Sequence, residues 1–205
     1  RDSNLLREFG VPGPSLEGFL LPETYFVSRL IDGRGLVRQL ATMFQRAWKP
    51  DWDARAAALG WSRRDLVTLA SIIEGEAKVD EDRPLVAAVY TNRLRIGMPL
   101  QADPTVQYAI QLETGQRKPR LFERDYQFPS PFNTYLIRGL PPTPVGAPSV
   151  KSIEAALAPA DVPYLYFVAG LDGKHVFSRT YPEHLRAIAR IREAERLARR
   201  TTPRR

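Results

Sequence analysis

Hydrophobic positions recur at helical spacing along most of this 205-residue chain. Capping and helix-breaking residues mark where these helical patterns begin and end. Ser62 with Asp65 resembles a capping box, Pro84 suits a first helical turn, and Gly97 suits a helix end. The pattern predicts helices over residues 33–48 and 53–60, from Ser62 onward, over 84–97, from Ser149 or Ser152 to Ala158, and from about Pro182 to the C-terminal region.

Strand-like patterning is confined to one region. Residues 164–168 predict a β-strand, Asp172-Gly173 predicts a turn, and residues 175–178 predict the returning strand of a hairpin. Residues 1–27, which include Pro12-Gly13-Pro14, predict an extended segment with one short strand or turn. The sequence therefore predicts an α+β fold, with several helices packed around a small antiparallel sheet.

Residues 98–148 hold nine prolines and three glycines, too many for long regular elements throughout. A long irregular stretch inside a compact domain usually forms a binding loop or lid. Gln101, Asp103 and Thr105 alternate, so they would share one face if this segment is extended. Alternatively, Asp103 caps a helix that begins at Pro104.

Two glutamates, Glu74 and Glu76, lie in the apolar helical run from Leu69 to Ala77. At ~100° per residue both fall on the shoulders of the apolar face, with Glu76 slightly nearer its centre. An apolar wall raises the pKa of a carboxyl group and makes it a candidate general acid. Alternatively, both are ordinary helix-face glutamates paired with Lys78 or Arg83.

Gly75 lies between the two glutamates, inside the predicted helix. A glycine inside a helix costs ~1 kcal/mol relative to alanine. Its presence there indicates close approach by a ligand or by backbone.

Other polar residues are weaker candidates. Asn92 lies on the apolar stripe of the next helix, where an amide is either a satisfied core residue or a ligand-binding group. Arg93 beside it could hold a carboxylate or be solvated. Asn133, Thr134 and Tyr135 offer amide, hydroxyl and aromatic groups, which suit carbohydrate but are also common in loops.

Composition excludes several chemistries. The chain has no cysteine, which rules out disulfides, zinc-thiolate sites and thiol nucleophiles. Its two histidines, His175 and His184, fall on different predicted elements and do not predict a metal site. There is no nucleophile-elbow motif and no glycine-rich phosphate loop. Acid–base chemistry by a carboxylate remains.

The net charge of +7 has a local origin. Residues 186–205 hold eight arginines against two glutamates, so they supply six of the seven excess charges. A solvated basic helix accounts for this better than binding to nucleic acid. The chain has no run of ~18 apolar residues, and it starts without methionine, from which we expect a fragment of a longer protein.

Four motifs together resemble the YceG-like endolytic murein transglycosylases. The resemblance extends from about Leu16 to His184. The motifs are ASIIEGEA, VYTNRLRIGMPLQADPTVQYAI, SPFNTYLIRGLPPTPVGAPS and PYLYFVAGLDGKHVFS. Family members carry Ser-Ile-Ile/Val-Glu-x-Glu, in which the second glutamate is catalytic, and this implies that Glu76 is the catalytic residue. Gly75 departs from the family pattern, where a larger residue such as lysine is expected.

The resemblance implies cleavage of the β-1,4 bond between N-acetylmuramic acid and N-acetylglucosamine, without water, to give 1,6-anhydro ends. It implies no cofactor and no metal. The implied substrate-binding residues are Glu74, Asn92, Arg93, Gln101, Asp103, Thr105, Asn133, Thr134 and Tyr135. A non-catalytic peptidoglycan-binding or scaffold module is the alternative.

The resemblance also sets expectations for the whole protein. We expect one catalytic domain over residues 1–205, with a leading segment at 1–15 and a basic helix and tail at 185–205. The expected partners are peptidoglycan glycan strands and peptidoglycan synthases, with no nucleic acid. The location would be the extracytoplasmic face of the bacterial cell membrane, or periplasm, reached through a single N-terminal anchor that this sequence lacks.

Overall fold

The computed structural model describes residues 3–11 and 13–201, with side chains up to residue 198. Residues 1, 2 and 12 of the predicted extended segment, and the last four residues of the predicted basic tail, lie outside the described residues.

The described residues form eight α-helices and one two-stranded antiparallel sheet, which confirms the α+β prediction. The α-helices are α1 (Ser3–Glu8), α2 (Gly33–Ala47), α3 (Trp52–Ala58), α4 (Arg63–Glu76), α5 (Arg83–Arg95), α6 (Asp103–Thr114), α7 (Val150–Leu157) and α8 (Tyr181–Thr201). Short 3₁₀ turns cover Asp80–Asp82 and Glu123–Gln127, and the strands are β1 (Tyr166–Ala169) and β2 (His175–Ser178).

Local capping chemistry explains where two central helices begin. The Ser62 hydroxyl accepts a hydrogen bond from the Asp65 N–H at 3.2 Å, and Asp65 accepts one from the Ser62 N–H at 2.9 Å. This reciprocal pair satisfies two of the free N–H groups at the start of α4 and confirms the predicted capping box. At the start of α7, the Ser149 hydroxyl accepts a hydrogen bond from the Ser152 N–H, without a reciprocal bond.

Helix α4 is the centre of the molecule. Its residues from Leu66 to Ile73 are all buried, and helices α3, α5, α6 and α7 pack around it. The main core adds large side chains from other elements, among them Trp52 and Tyr90. A second apolar cluster joins α1 and α2 through Leu5, Phe9, Leu16 and Ala41. The buried part of α4 ends at Ile73, and its last residues, Glu74 to Glu76, are partly accessible.

The hairpin packs between α5 and α8. Strand β1 pairs with β2 in antiparallel register, with Phe167 opposite Phe177 and Ala169 opposite His175. This confirms the predicted hairpin. It brings residues from near the C-terminal end of the chain against α5.

Two parts of the sequence-based interpretation are wrong. The first 27 residues begin with the short helix α1 rather than an extended segment; where described they contain a turn, with the Phe19 N–H bound to the Leu16 carbonyl, and no strand. Residues 103–114 form α6, so Gln101, Asp103 and Thr105 do not alternate along an extended segment. Asp103 is the first residue of α6 rather than its cap: Ala102 holds the N-cap position, without a side-chain capping bond. Proline at a first-turn position starts this helix rather than breaking the chain.

In the part of the chain that the structure describes, no helix is both long enough and apolar enough to cross a membrane.

Candidate active site

A cavity of about 300 Å³ opens at the C-terminal end of α4. Its walls come from α4, α5, the first turn of α6 and the loop before it, the hairpin and α8. Five of the ten residues singled out from the sequence line it, namely Glu76, Arg93, Gln101, Asp103 and Tyr135. The cavity is therefore the place where the sequence-derived candidates converge.

Glu76 is the last residue of α4 and lies half-buried at the cavity wall. The Tyr90 hydroxyl of α5 donates a hydrogen bond to its Oε1 at 3.0 Å. The backbone N–H of Asp103, at the start of α6, donates another to the same carboxyl group. The carboxyl thus lies between the end of one helix and the beginning of another.

The environment of Glu76 favours its protonated form. Burial, followed by the negative charge of Asp103, raises the pKa of Glu76 from 4.5 to about 7. The hydrogen bonds from Tyr90 and the Asp103 N–H, with the positive charge of Arg93, oppose this rise and are outweighed. A large fraction of Glu76 therefore carries a proton at neutral pH, as a general acid requires.

Asp103 is held in place by a tyrosine from the distant loop. The Tyr135 hydroxyl donates a hydrogen bond of 2.7 Å to its Oδ1. The Tyr135 ring packs against Tyr126, with centroids 4.5 Å apart. Burial and the Asp103 charge raise the pKa of Tyr135, so it remains a donor. The second carboxylate of the cavity is thereby fixed in position.

Arg93 supplies a buried positive charge, but it is not paired with a carboxylate. Its Nε donates to the Leu165 carbonyl at 2.7 Å, and its Nη1 donates to the Leu100 carbonyl at 2.7 Å. Its guanidinium lies 5.3 Å from the centre of the Tyr166 ring. Burial lowers the pKa of Arg93. Arg93 therefore ties β1 to the loop before α6 and supplies charge at the cavity wall.

Gln101, at the cavity rim, has an unusual backbone. Its φ of 52° is the one positive value recorded for a non-glycine residue in the described chain. Its N–H donates to the Thr134 carbonyl at 3.0 Å. Such conformations cost free energy and are concentrated at functional sites. This strained position precedes Ala102 and the first turn of α6.

Gly75 permits the close contact between α4 and α6. A Cβ added to Gly75 would lie 2.7 Å from Cγ of Pro104, well inside van der Waals contact. The predicted close approach at Gly75 is therefore present, although the approaching group is a proline ring rather than a ligand or backbone. In this chain the absence of a side chain at position 75 lets the Pro104 ring of α6 pack directly against α4, one residue before Glu76.

Asn92 lies outside the cavity lining. Its amide donates to the carbonyl groups of Val162 and Tyr164, at 2.8 Å and 3.0 Å. These bonds attach the segment before β1 to α5. Asn92 is therefore a satisfied structural amide and not a group that faces the cavity.

Thr105, Asn133 and Thr134 are completely buried and do not line the cavity. Thr134 Oγ1 accepts the Ala102 N–H at 3.0 Å and lies 2.9 Å from Thr105 Oγ1. The Asn133 amide donates to two backbone carbonyls of the loop that precedes it, and its Oδ1 accepts the Tyr135 N–H. The three side chains hold the Tyr135 loop against the start of α6.

Glu74 also lies outside the cavity lining. It forms an ion pair with Arg83 at 3.1 Å and accepts hydrogen bonds from the Ser149 N–H and hydroxyl and from the Ser152 hydroxyl. Burial alone would raise the pKa of Glu74, but the bonds from Ser149 and Ser152, with the charge of Arg83, lower it. Glu74 is thus an ionised link between α4, α5 and α7.

Several lining residues were missed by sequence reasoning: Tyr90, Leu100, Phe167, His175 and His184. Tyr90 lies one helical turn before Arg93, so their shared face of α5 is the signal that could have found it. The two histidines had been considered only as metal ligands. Among the described residues, no group of three or more His, Cys, Asp or Glu side chains could hold a metal ion.

Comparisons with known proteins give a consistent result. The model of the YceG-like family matches residues 3–190. An endolytic murein transglycosylase of Bacillus subtilis (strain 168) is 37% identical over 179 residues, which cover 84% of this chain and 47% of that protein. An endolytic murein transglycosylase of Streptococcus pneumoniae serotype 2 (strain D39) is 32% identical over 177 residues, covering 85% of this chain and 32% of that protein.

A crystal structure of a YceG-like protein from Listeria monocytogenes superimposes with a TM-score of 0.76 at 36% identity. The match covers 84% of this chain and 55% of that one. The chain spans between about a third and a half of the length of these two curated relatives.

Proposed function

Because the chain belongs to the YceG-like family, we propose that it is the catalytic part of an endolytic lytic transglycosylase acting on peptidoglycan glycan strands. The bond cleaved is the β-1,4 linkage between N-acetylmuramic acid and N-acetylglucosamine. One observation carries the proposal: a carboxyl group with its pKa raised to about 7 lies on the wall of a polar cavity. The names of the relatives from Bacillus and Streptococcus support the same reaction.

In the first step, Glu76 donates its proton to the glycosidic oxygen. The bond from this oxygen to the anomeric carbon of N-acetylmuramic acid breaks, and positive charge develops on that carbon. Asp103 is a second carboxylate on the same wall, and its negative charge stabilises the oxocarbenium-like state electrostatically.

In the second step, the Glu76 carboxylate accepts the proton of the muramic acid 6-hydroxyl. The oxygen of this hydroxyl then bonds to the anomeric carbon, which gives the 1,6-anhydro end and restores the Glu76 acid. Because the nucleophile belongs to the same sugar, its effective concentration is high. No second carboxylate is needed to activate water, and one acid is sufficient.

The other candidate residues divide by their position. Arg93, Gln101 and Tyr135 line the cavity and are proposed to contact the sugars. Glu74, Asn92, Thr105, Asn133 and Thr134 are proposed to act indirectly, because their polar atoms bind backbone and side chains that hold the cavity walls. Their proposed role is to position the residues that contact the substrate.

The substrate also determines the proposed location. Peptidoglycan lies outside the cytoplasmic membrane, so the chain would act on the extracytoplasmic side. Attachment through an N-terminal anchor, and association with peptidoglycan synthases, are proposals for the whole protein.

Product analysis tests the function. The protein is incubated with purified glycan strands, and the released fragments are identified by mass spectrometry. We expect 1,6-anhydromuramyl ends from the parent and none from Glu76→Gln, with circular dichroism confirming that the variant is folded. Reducing muramic acid ends would indicate a hydrolase. Strand binding by both proteins, without turnover by either, would indicate a scaffold module.

A further inference from the structure

The cavity contains an imidazole that the proposed mechanism does not use. His175, the first residue of β2, lines the same cavity as Glu76. Its side chain is 4% exposed. A histidine side chain this buried is held in one orientation. Its hydrogen bonds therefore determine whether the other ring nitrogen is a donor or an acceptor.

Asp82 sets this orientation. Its Oδ2 accepts the backbone N–H of His175 at 2.7 Å and lies 2.8 Å from Nδ1 of the ring. A carboxylate bound at Nδ1 holds the hydrogen on that nitrogen, which leaves Nε2 of the neutral ring as an acceptor. Among the described residues, His175 Nε2 has no hydrogen-bond partner.

The Asp82 side chain is directed away from its own helix. Asp82 immediately precedes α5 with helical backbone (φ −79°, ψ −22°), and its side chain makes no capping bond. It instead reaches His175, 93 positions away in the sequence.

Aromatic rings fix the remaining freedom of the imidazole. The edge of Phe167 meets the His175 ring, with centroids 5.0 Å apart and planes at 81°. Phe167 in turn meets Tyr90 at 5.8 Å, and Tyr90 donates to Glu76. His175 and Glu76 therefore belong to one wall and are connected through the side chains of Phe167 and Tyr90.

We propose that His175 is a substrate-contact residue whose Nε2 accepts a hydrogen bond from a hydroxyl or acetamido N–H of the bound glycan, with Asp82 as its positioning residue. That the ligand is a glycan rests on the proposed function. Protonation of the reacting oxygen is already assigned to Glu76, so the proposed contact of His175 is with another polar group of the glycan. Its contribution is to affinity and placement rather than to proton transfer.

Two substitutions at His175 separate this role from a structural one. His175→Asn keeps the backbone N–H and a side-chain donor toward Asp82, but it removes the acceptor at the Nε2 position. His175→Gln places an amide near the Nε2 position and loses the donor to Asp82. Because a hydrogen bond contributes about 1 kcal/mol, we expect His175→Asn to raise KM about three- to tenfold, with a smaller change in kcat. His175→Gln should recover part of the loss.

Binding is measured separately from turnover. In the Glu76→Gln background, titration calorimetry with purified glycan strands should show the same loss of affinity for His175→Asn. Long-range ¹H–¹⁵N spectra of the imidazole should show hydrogen on Nδ1, and the Nε2 resonance should move when strands are added. A double-mutant cycle with Asp82→Asn and Asp82→Ala should show that Asp82 affects affinity only while His175 is present.

The outcomes are distinguishable. Parental KM and affinity in His175→Asn would overturn the role of His175 and leave the proposed function intact. An Nε2 resonance that does not respond to strands would overturn it as well. Anhydro products absent from the parent would instead refute the proposed function, while the binding and spectroscopic results would still decide whether His175 contacts glycan.

Discussion

The Tyr90 hydroxyl donates a hydrogen bond of 3.0 Å to Oε1 of Glu76, and it thereby opposes the burial that raises the pKa of this carboxyl group. The bond stabilises the ionised form. The pKa of the proposed acid thus reflects a balance: burial and the Asp103 charge raise it, and the Tyr90 hydroxyl, the Asp103 N–H and the Arg93 charge lower it.

Removing this hydroxyl should move the pH dependence upward. In Tyr90→Phe the ionised form of Glu76 loses a donor, so its pKa rises above about 7. Because the first step needs the protonated acid, kcat/KM falls as pH rises through this pKa. We expect the alkaline limb of kcat/KM to shift up by roughly half to one pH unit. Tyr108→Phe is the matched control, because the Tyr108 hydroxyl binds Glu17 outside the cavity. The alkaline limb of kcat/KM should not move in this variant.

Asp103→Asn should have the opposite effect. The negative charge of Asp103 raises the pKa of Glu76, so its removal lowers that pKa. Asparagine retains an oxygen that can accept the Tyr135 hydroxyl. We expect the alkaline limb of kcat/KM to move down by roughly one unit, together with a lower maximum rate. A shift in the same direction as Tyr90→Phe would contradict this electrostatic account.

Glu76→Gln should stabilise the fold above neutral pH. The pKa of Glu76 is raised, so the folded state binds a proton that the unfolded state has released. The free energy of unfolding therefore falls as pH rises from about 4.5 to about 7. Glutamine has no ionisable group, so the variant does not lose this stability as pH rises. In urea unfolding near pH 8 the variant should exceed the parent by about 1–3 kcal/mol, and the difference should vanish below about pH 4.

Glu74→Gln, the same change on the same helix, should destabilise the fold. Glu74 has a lowered pKa, so its contribution is present above the unfolded pKa and is lost as pH falls through the folded pKa. Its loss leaves Arg83 without its ion-pair partner on α4. We expect the free energy of unfolding at neutral pH to drop by about 1–3 kcal/mol, with the difference narrowing in acid. Greater stability in this variant at neutral pH would refute the linking role.

Gly75→Ala should reduce turnover more than stability. The added methyl group meets the Pro104 ring at 2.7 Å and forces the first turn of α6, with Asp103, away from Glu76. We expect kcat to fall roughly tenfold to a hundredfold. The gain of about 1 kcal/mol from replacing a helical glycine offsets part of the strain. Gly33→Ala, whose methyl group would enter open space, should leave kcat unchanged.

Local signals in the sequence predicted the scaffold well. The capping box at Ser62, the cap at Ser149 and the hairpin each depend on residues a few positions apart, and all three are present. Helix α6 was harder to predict, because the nine prolines of residues 98–148 suggested irregular structure. Only one of them, Pro104, lies within α6, at a first-turn position where proline is favourable.

The site was less predictable because its contacts are long-range. The partners of Thr134 and Asn92 lie 29 to 72 positions away, so nothing near either residue showed that its polar atoms are satisfied internally. The Asp82–His175 contact spans 93 positions. Periodicity identifies the face of a helix on which a residue lies, but it does not identify what the opposite wall contributes.

The walls of the cavity come from chain segments that extend from Glu76 to His184, so the cavity exists only when these distant segments are packed together. Burial is the main cause of the raised pKa of Glu76. In the unfolded chain Glu76 is exposed to water, where it is an ordinary ionised glutamate at neutral pH. The raised pKa is therefore a property of the assembled fold and not of the local sequence around Glu76.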